Sequence, residues 1–174
     1  MTGICGAVDA VCTAWETVTI SHSSVLSMQI SAAQTADIPA LNALLSLLFT
    51  QEAEFTPDPV AQAEGLRRII SDPQAGIIFA GRIGGEIVAM VNLLFTVSTA
   101  LGGRVALLED LVVAPAHRGA GLGGQMIAHA LTEARAAGCR RVTLLTDRDN
   151  AVARRFYARR GFVESSMLPL RRML

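Results

Sequence analysis

Residues 104–124 read RVALLEDLVVAPAHRGAGLGG, and this stretch decides the fold. Val105 to Val113 is an apolar run rich in β-branched residues, with Pro115 just beyond it. Such a run predicts a strand buried on both faces. Glu109 and Asp110 interrupt it. Adjacent strand residues point to opposite faces, so the pattern allows at most one of the two acids into any one cleft. An ionised carboxylate is costly to bury unless it is paired or hydrogen-bonded. This point of the strand is therefore expected to be wet, paired or functional.

The strand runs into Arg118-Gly119-Ala120-Gly121-Leu122-Gly123-Gly124. A helix is predicted over Gln125 to Ala137, because Leu122, Met126, Ala130 and Ala134 step by four with Ile127 and Leu131 beside them. Gly138 supplies its C-terminal stop. Glycines ahead of a helix let backbone approach a ligand closely, and the free N–H groups and dipole of a helix start favour an anion. Arg118 adds a permanent cation whose planar fork suits phosphate. Together these form a cradle for a phosphate or pyrophosphate.

The cradle is not a Walker loop, since no Lys-Ser or Lys-Thr follows the glycines. Gly119-x-Gly121-x-x-Gly124, with Asp147 after the next strand, formally matches a dinucleotide fingerprint. In that fingerprint the strand runs almost directly into the first glycine, whereas Ala114 to Arg118 intervene here. Too few residues follow for the further parallel βα units such a domain needs. The spacing Arg118-x-x-Gly121-x-Gly123 after Val-x-Pro instead resembles the acyl-CoA motif of the GNAT superfamily of N-acetyltransferases. A second block at a matching distance, Asn150-Ala-Val-Ala-Arg-Arg-Phe-Tyr157-Ala-Arg-Arg-Gly161-Phe162, strengthens the resemblance, which covers roughly residues 28–174.

Composition sets the bounds. A chain of 174 residues, half of them apolar, is long enough for one domain with a real core. Every apolar segment is broken by Asp, Arg, Gly or Pro before it reaches membrane-spanning length, so no membrane partner is expected. Cys5, Cys12 and Cys139 have no metal spacing, and their odd number argues against a disulfide framework; a reducing, cytoplasmic setting and no metal site are expected. There is no Lys, and all 15 basic residues are Arg. Residues 1–116 hold 11 acids against four Arg, net −7; residues 117–174 hold four acids against 11 Arg, net +7. The basic part contains the cradle and suits a polyanionic co-substrate; the acidic part could attract a cationic amine. Zero net charge gives no reason to expect nucleic acid.

Residues 1–27 contain no Lys or Arg and lack the positive start of a signal peptide; they read as an irregular extension before a domain over 28–174. Met28 to Ala32 is a predicted strand. Asp37-Ile-Pro39 and Asp58-Pro59 start two helices. Between them, the acids and Phe55 of Gln51 to Pro57 could border a substrate pocket. Gly76–Arg82 and Glu86–Val97 are strands joined at a Gly84-Gly85 hairpin. Arg141–Thr146 is the next strand. A helix carrying Val152, Phe156 and Tyr157 ends at Gly161, and Phe162–Leu174 supplies one or two last strands with Pro169 at an edge or bulge. His117 and His129 read as solvent or helix-surface residues.

Periodicity alone supports a mixed α/β domain. The resemblance implies more: an α/β (α+β) domain of the GNAT type, a mostly antiparallel sheet of six to seven strands, and about four helices. It implies that the strand ending at Val113 and the strand starting at Arg141 splay apart to admit the pantetheine arm of acetyl-CoA. Backbone N–H groups of Leu111, Val112 and Val113 would bind that arm and polarise the acetyl carbonyl. Arg118, Gly119, Ala120, Gly121, Leu122, Gly123 and Gly124 would take the pyrophosphate, and Asn150 would contact the arm. A homodimer is also a family habit.

Acetyl transfer to an amine requires removing a proton, because an alkyl ammonium has a pKa of about 10.4. A carboxylate at the cleft can accept it, directly or through water. Leu108-Glu109-Asp110 resembles the Leu-Glu-Asp segment of spermidine/spermine-type acetyltransferases, which assigns the base to Glu109, with Asp110 as the alternative. Tyr157, the one Tyr of the chain, is the candidate general acid for the departing thiolate. The expected activity is acetyl transfer from acetyl-CoA to a primary amine, on a small cationic metabolite, by direct ternary-complex transfer. Two other classes fit parts of the pattern: a non-catalytic acyl-CoA-binding module and a nicotinamide-dependent oxidoreductase.

Overall fold

The computed structural model describes residues 27–51 and 56–173. The expectations for residues 1–26, for Cys5 and Cys12, and for Glu52, Glu54 and Phe55 lie outside the described residues. Five strands form one sheet in sequence order: β1 (Gln29–Ala32), β2 (Gly76–Ile83), β3 (Glu86–Ser98), β4 (Gly103–Val113) and β5 (Val142–Leu144). The first four are antiparallel, and β4 and β5 are parallel. The helices are α1 (Ile38–Gln51), α2 (Pro59–Ser71), α3 (Leu122–Ala136) and α4 (Ala151–Ala158).

Local chemistry accounts for these boundaries. Asp58 caps α2 by accepting from the N–H groups of Val60 and Ala61, and Pro59 takes the first helical position, where no donor is needed. The β2–β3 hairpin turns on Gly84 and Gly85, at φ 59° and 88°, a backbone shape that side chains with a Cβ resist. Asp37 is half-buried and ties the start of α1 to the sheet, accepting from Gln34 N–H at 2.8 Å and from Arg82 at 2.6 Å. Burial works to raise the Asp37 carboxyl, but these donors outweigh it and hold the pKa below its ordinary value.

Two cores sandwich the sheet. Leu41, Leu44 and Leu45 of α1 and Leu66 of α2 pack with Ile78, Ala80, Met90 and Val112 on one face. Met126, Ala130 and Ala134 of α3 pack with Phe79, Ala89, Val91, Leu93, Ala106 and Leu108 on the other. The step of four read along α3 is thus its buried stripe. His129, expected at the helix surface, instead sets its ring edge-on against Phe79 at 4.8 Å.

The expected sixth and seventh strands do not form among the described residues. After Gly161 the chain has no regular structure to Met173, and Val163, Met167, Leu170 and Met173 are at least 83% exposed. Pro169 splits the stretch and offers no N–H to a ladder, and no neighbour pairs with it. Apolar residues alone do not make a strand without a partner.

Candidate active site

The site is built at the C-terminal end of β4, where one irregularity alters everything around it. Met90 pairs with Val112, but Asn92 pairs with Glu109, so Asp110 and Leu111 together face Val91. This is a β-bulge. Asp110 has φ 51°, the one non-glycine residue with positive φ among the described residues. The extra residue flips the strand's alternation. Ala106 and Leu108 face α3, whereas Val112 faces α1 and α2, and Leu111 and Val113 turn toward α3.

The bulge also corrects the expectation that Glu109 and Asp110 point to opposite faces. Asn92 lies two residues from Met90 on β3 and so shares its face. Asn92 stands opposite Glu109, and its side-chain amide donates to Asp110 Oδ2. Both acids therefore meet at the same face. Their situations differ. Asp110 is held by Asn92, a side chain only 2% exposed whose own Oδ1 is buried without a partner. Glu109 is half-buried; burial pushes its carboxyl above the ordinary value, and the charge of Arg171 pulls part of the way back. Asn92 was visible in the sequence as the single polar residue within Ile87–Phe95. The bulge had no such sign, because Leu-Glu-Asp-Leu contains no glycine.

Asp110→Ala is expected to lower stability by about 1–3 kcal/mol, since it strands the buried Asn92 amide and leaves a Cβ at positive φ without a polar side chain to support it. Asp110→Asn, which tolerates that backbone and can still bond, should recover most of the loss in denaturant titration.

The β4–β5 pairing is short. Ala106, Leu107 and Leu108 pair with Val142, Thr143 and Leu144, and β5 then ends. From Glu109 to Val113 no strand among the described residues lies beside the edge of β4 that faced β5. A gap thus opens between two parallel strands where the sequence placed Leu111, Val112 and Val113.

The glycine turn lies at the end of this gap. A short 3-10 turn, Pro115–His117, separates β4 from Arg118. Gly119 and Gly121 have φ of 81° and 80° with open space around them, so their requirement is backbone shape rather than room. Gly121 is the N-cap of α3, and no side chain caps the helix. The first N–H groups of α3, from Leu122 and Gly123, precede its first internal bonds and are available to an anion. Arg118 Nε donates to Val113 O at 2.9 Å, which anchors the guanidinium to the strand end and leaves its terminal nitrogens for a ligand.

The end of β4, the start of α3 and α4 converge at Gly123. A Cβ there would meet the Phe156 ring at 3.3 Å and Val113 at 3.7 Å. Tyr157 follows on α4, half-buried, its ring edge-on to Phe156 at 5.2 Å and Phe162 at 5.8 Å. Asn150 caps α4 through its side-chain oxygen, which accepts from Ala153 N–H at 3.0 Å, so its amide nitrogen is what remains for a ligand. No group of three or more His, Cys, Asp or Glu side chains among the described residues could hold a metal ion. No helix among them is long and apolar enough to cross a membrane.

A dinucleotide-binding domain does not fit this arrangement. It needs several adjacent parallel strands, and the sheet has a single parallel pair. Comparison with known proteins agrees. The chain is 32% identical over 133 residues to an aminoalkylphosphonate N-acetyltransferase of Salmonella typhimurium, spanning 76% of this chain and 83% of that protein. It is 28% identical over 144 residues to a glucosamine 6-phosphate N-acetyltransferase of Trypanosoma brucei brucei, spanning 80% of this chain and 92% of that one. A solved structure from Agrobacterium tumefaciens str. C58, described as a candidate acetyltransferase, superposes with a TM-score of 0.71 at 29% identity, over 83% of this chain and 99% of that one. Residues 39–162 match the Acetyltransferase (GNAT) family, and the chain belongs to that family of acetyl-transferring enzymes.

Proposed function

We propose that the chain moves the acetyl group of acetyl-CoA directly to a primary amine of a small metabolite, in a ternary complex, with Glu109 as base and Tyr157 as acid. The observation that supports this most strongly is the convergence at the end of β4. A strand edge without a partner among the described residues, an uncapped helix start with Arg118, and a carboxyl of raised pKa all fall within residues 109–123. These fit an elongated ligand with an acyl arm at one end and phosphates at the other. Acetyl-CoA supplies the activated acetyl thioester. Backbone N–H groups of Leu111 to Val113 bind the arm and polarise the carbonyl. The turn from Arg118 to Gly124 takes the pyrophosphate, and Asn150 contacts the arm through its amide nitrogen. Glu109 accepts the amine's proton, while the Asn92 bond holds Asp110 as its structural neighbour. Tyr157 returns a proton to the thiolate.

The acceptor is taken to be a small cationic amine, as the Leu108-Glu109-Asp110 segment suggests. The wider acidity of the first half contributes less. Asp37 is paired with Arg82, Asp58 caps α2, and Glu64 is bridged by Arg67 and Arg68. A second acceptor class, an amine that also carries a phosphoryl or phosphonyl group, is favoured by two observations. Two relatives are named for such substrates, and the charge of Arg171 reaches Glu109. Thiol release in the presence of a polyamine, an aminoalkylphosphonate, glucosamine 6-phosphate and a peptide N-terminus separates these classes. Turnover on the peptide alone would contradict a small-molecule acceptor. Binding of acetyl-CoA with no turnover on any amine would favour a non-catalytic module.

Gly121→Val is expected to weaken acetyl-CoA binding by at least about tenfold, because a β-branched residue at φ 80° costs roughly 1–2 kcal/mol and displaces the helix-start donors. Equal affinity in a titration of the two proteins would place the phosphates elsewhere.

A further inference from the structure

Between the pairs Leu93–Leu108 and Met90–Val112, Glu109, Asp110 and Leu111 of β4 face only Asn92 and Val91 of β3. The flanking ladder requires one extra residue on β4 but does not say which. Its place decides the site, because a shift by one residue turns a side chain to the other face. With the extra residue after Glu109, the glutamate stays in register opposite Asn92. No glycine marks that place, and the φ of 51° at Asp110 is unfavourable for a residue with a Cβ. Asn92 meets Asp110 there, its amide donating to Oδ2 at 2.5 Å. Asn92 carries a cost of its own. It is 2% exposed, and its Oδ1 is buried with no hydrogen-bond partner among the described residues. An apolar side chain of similar size would leave no such bond unmet. A strained backbone and a half-satisfied buried amide thus meet at one hydrogen bond, one residue from the carboxylate assigned as base. Strain of this kind persists only where the surroundings over-determine it, and it gathers at working sites.

We propose that Asn92 is a positioning residue: by bonding Asp110 it pins the bulge after Glu109 and so aims the Glu109 carboxyl at the acceptor amine. This rests on the reading of Glu109 as base and deepens it. Asn92 is sealed from solvent and touches neither substrate; its effect runs through Asp110 to the backbone of Glu109. A displacement of about 1 Å at a reacting group costs on the order of 10²-fold in rate. Loss of the tie therefore registers in turnover rather than in acetyl-CoA binding.

The test is a double-mutant cycle on the full chain. It follows thiol release from acetyl-CoA with a polyamine, an aminoalkylphosphonate or glucosamine 6-phosphate, whichever the wild type acetylates fastest. Asn92→Leu keeps the size and removes the bond. It should lower kcat by about 10–100-fold, with the KM for acetyl-CoA within about twofold of wild type. In the Glu109→Gln background the same substitution should cost about twofold or less, because no base is left to aim. Asn92→Ser, still polar but too short to hold Asp110, supplies the same cycle if Asn92→Leu does not fold. Equal losses in the two backgrounds overturn the proposal. So does a folded Asn92 variant with wild-type kcat, even one with a lowered denaturant midpoint, since Asn92 would then be structural only. Both results leave Glu109 as base, whereas full turnover in Glu109→Gln removes that assignment and this proposal with it.

Discussion

Replacing Glu109 with Gln lowers turnover by about 10²–10⁴-fold while acetyl-CoA affinity stays near that of wild type. The expectation follows from its position. Glu109 lies at the bulge, half-buried, opposite Asn92 and beside an open strand edge. Burial raises its pKa, and Arg171 opposes that shift. A base must be deprotonated, so the acid limb of the wild-type rate profile should fall above the ordinary glutamate value. Arg171→Gln should move that limb to still higher pH, because it removes the charge that favours the carboxylate. Stability runs the opposite way. The folded chain holds a proton on Glu109 more tightly than the unfolded chain, so stability falls as pH rises from the ordinary carboxylate value through the raised folded value. Glu109→Gln removes that penalty and should be at least as stable as wild type at neutral pH. A variant that is inactive yet not destabilised separates a catalytic role from a structural one. Unchanged turnover would shift the base to Asp110 or to water.

Tyr157→Phe lowers turnover by about 10²-fold and leaves the KM for acetyl-CoA unchanged. The ring contacts with Phe156 and Phe162 are apolar and survive the loss of the hydroxyl, so α4 keeps its packing. Wild-type turnover in the Phe variant would assign the thiolate's proton to solvent.

Much of this architecture was legible because the decisive signals are local. Gly84-Gly85 fixes a hairpin, Asp58-Pro59 fixes a helix start, and the four-residue step from Leu122 to Ala134 fixes the buried face of α3. The glycine turn before α3 was legible for the same reason, since Gly119 and Gly121 occupy the backbone shape that glycine permits. The elements missed depend on partners distant in the chain. The stretch after Gly161 has apolar residues suited to a strand, but a strand also needs a neighbour, and none among the described residues pairs with it. The bulge depends on how β3 and β4 register, and no residue within Leu108–Leu111 announces it. It turns two adjacent acids onto one face and sets them in different surroundings.

The most direct test of the account follows backbone amide resonances as acetyl-CoA is added, with NAD as control. Shifts should concentrate at Leu111 to Val113 and at Gly119 to Gly124, the open edge of β4 and the uncapped start of α3. NAD should produce none of comparable size. Shifts centred on β1 and β2, or a stronger response to NAD, would contradict the assignment of the acetyl-CoA site to the end of β4.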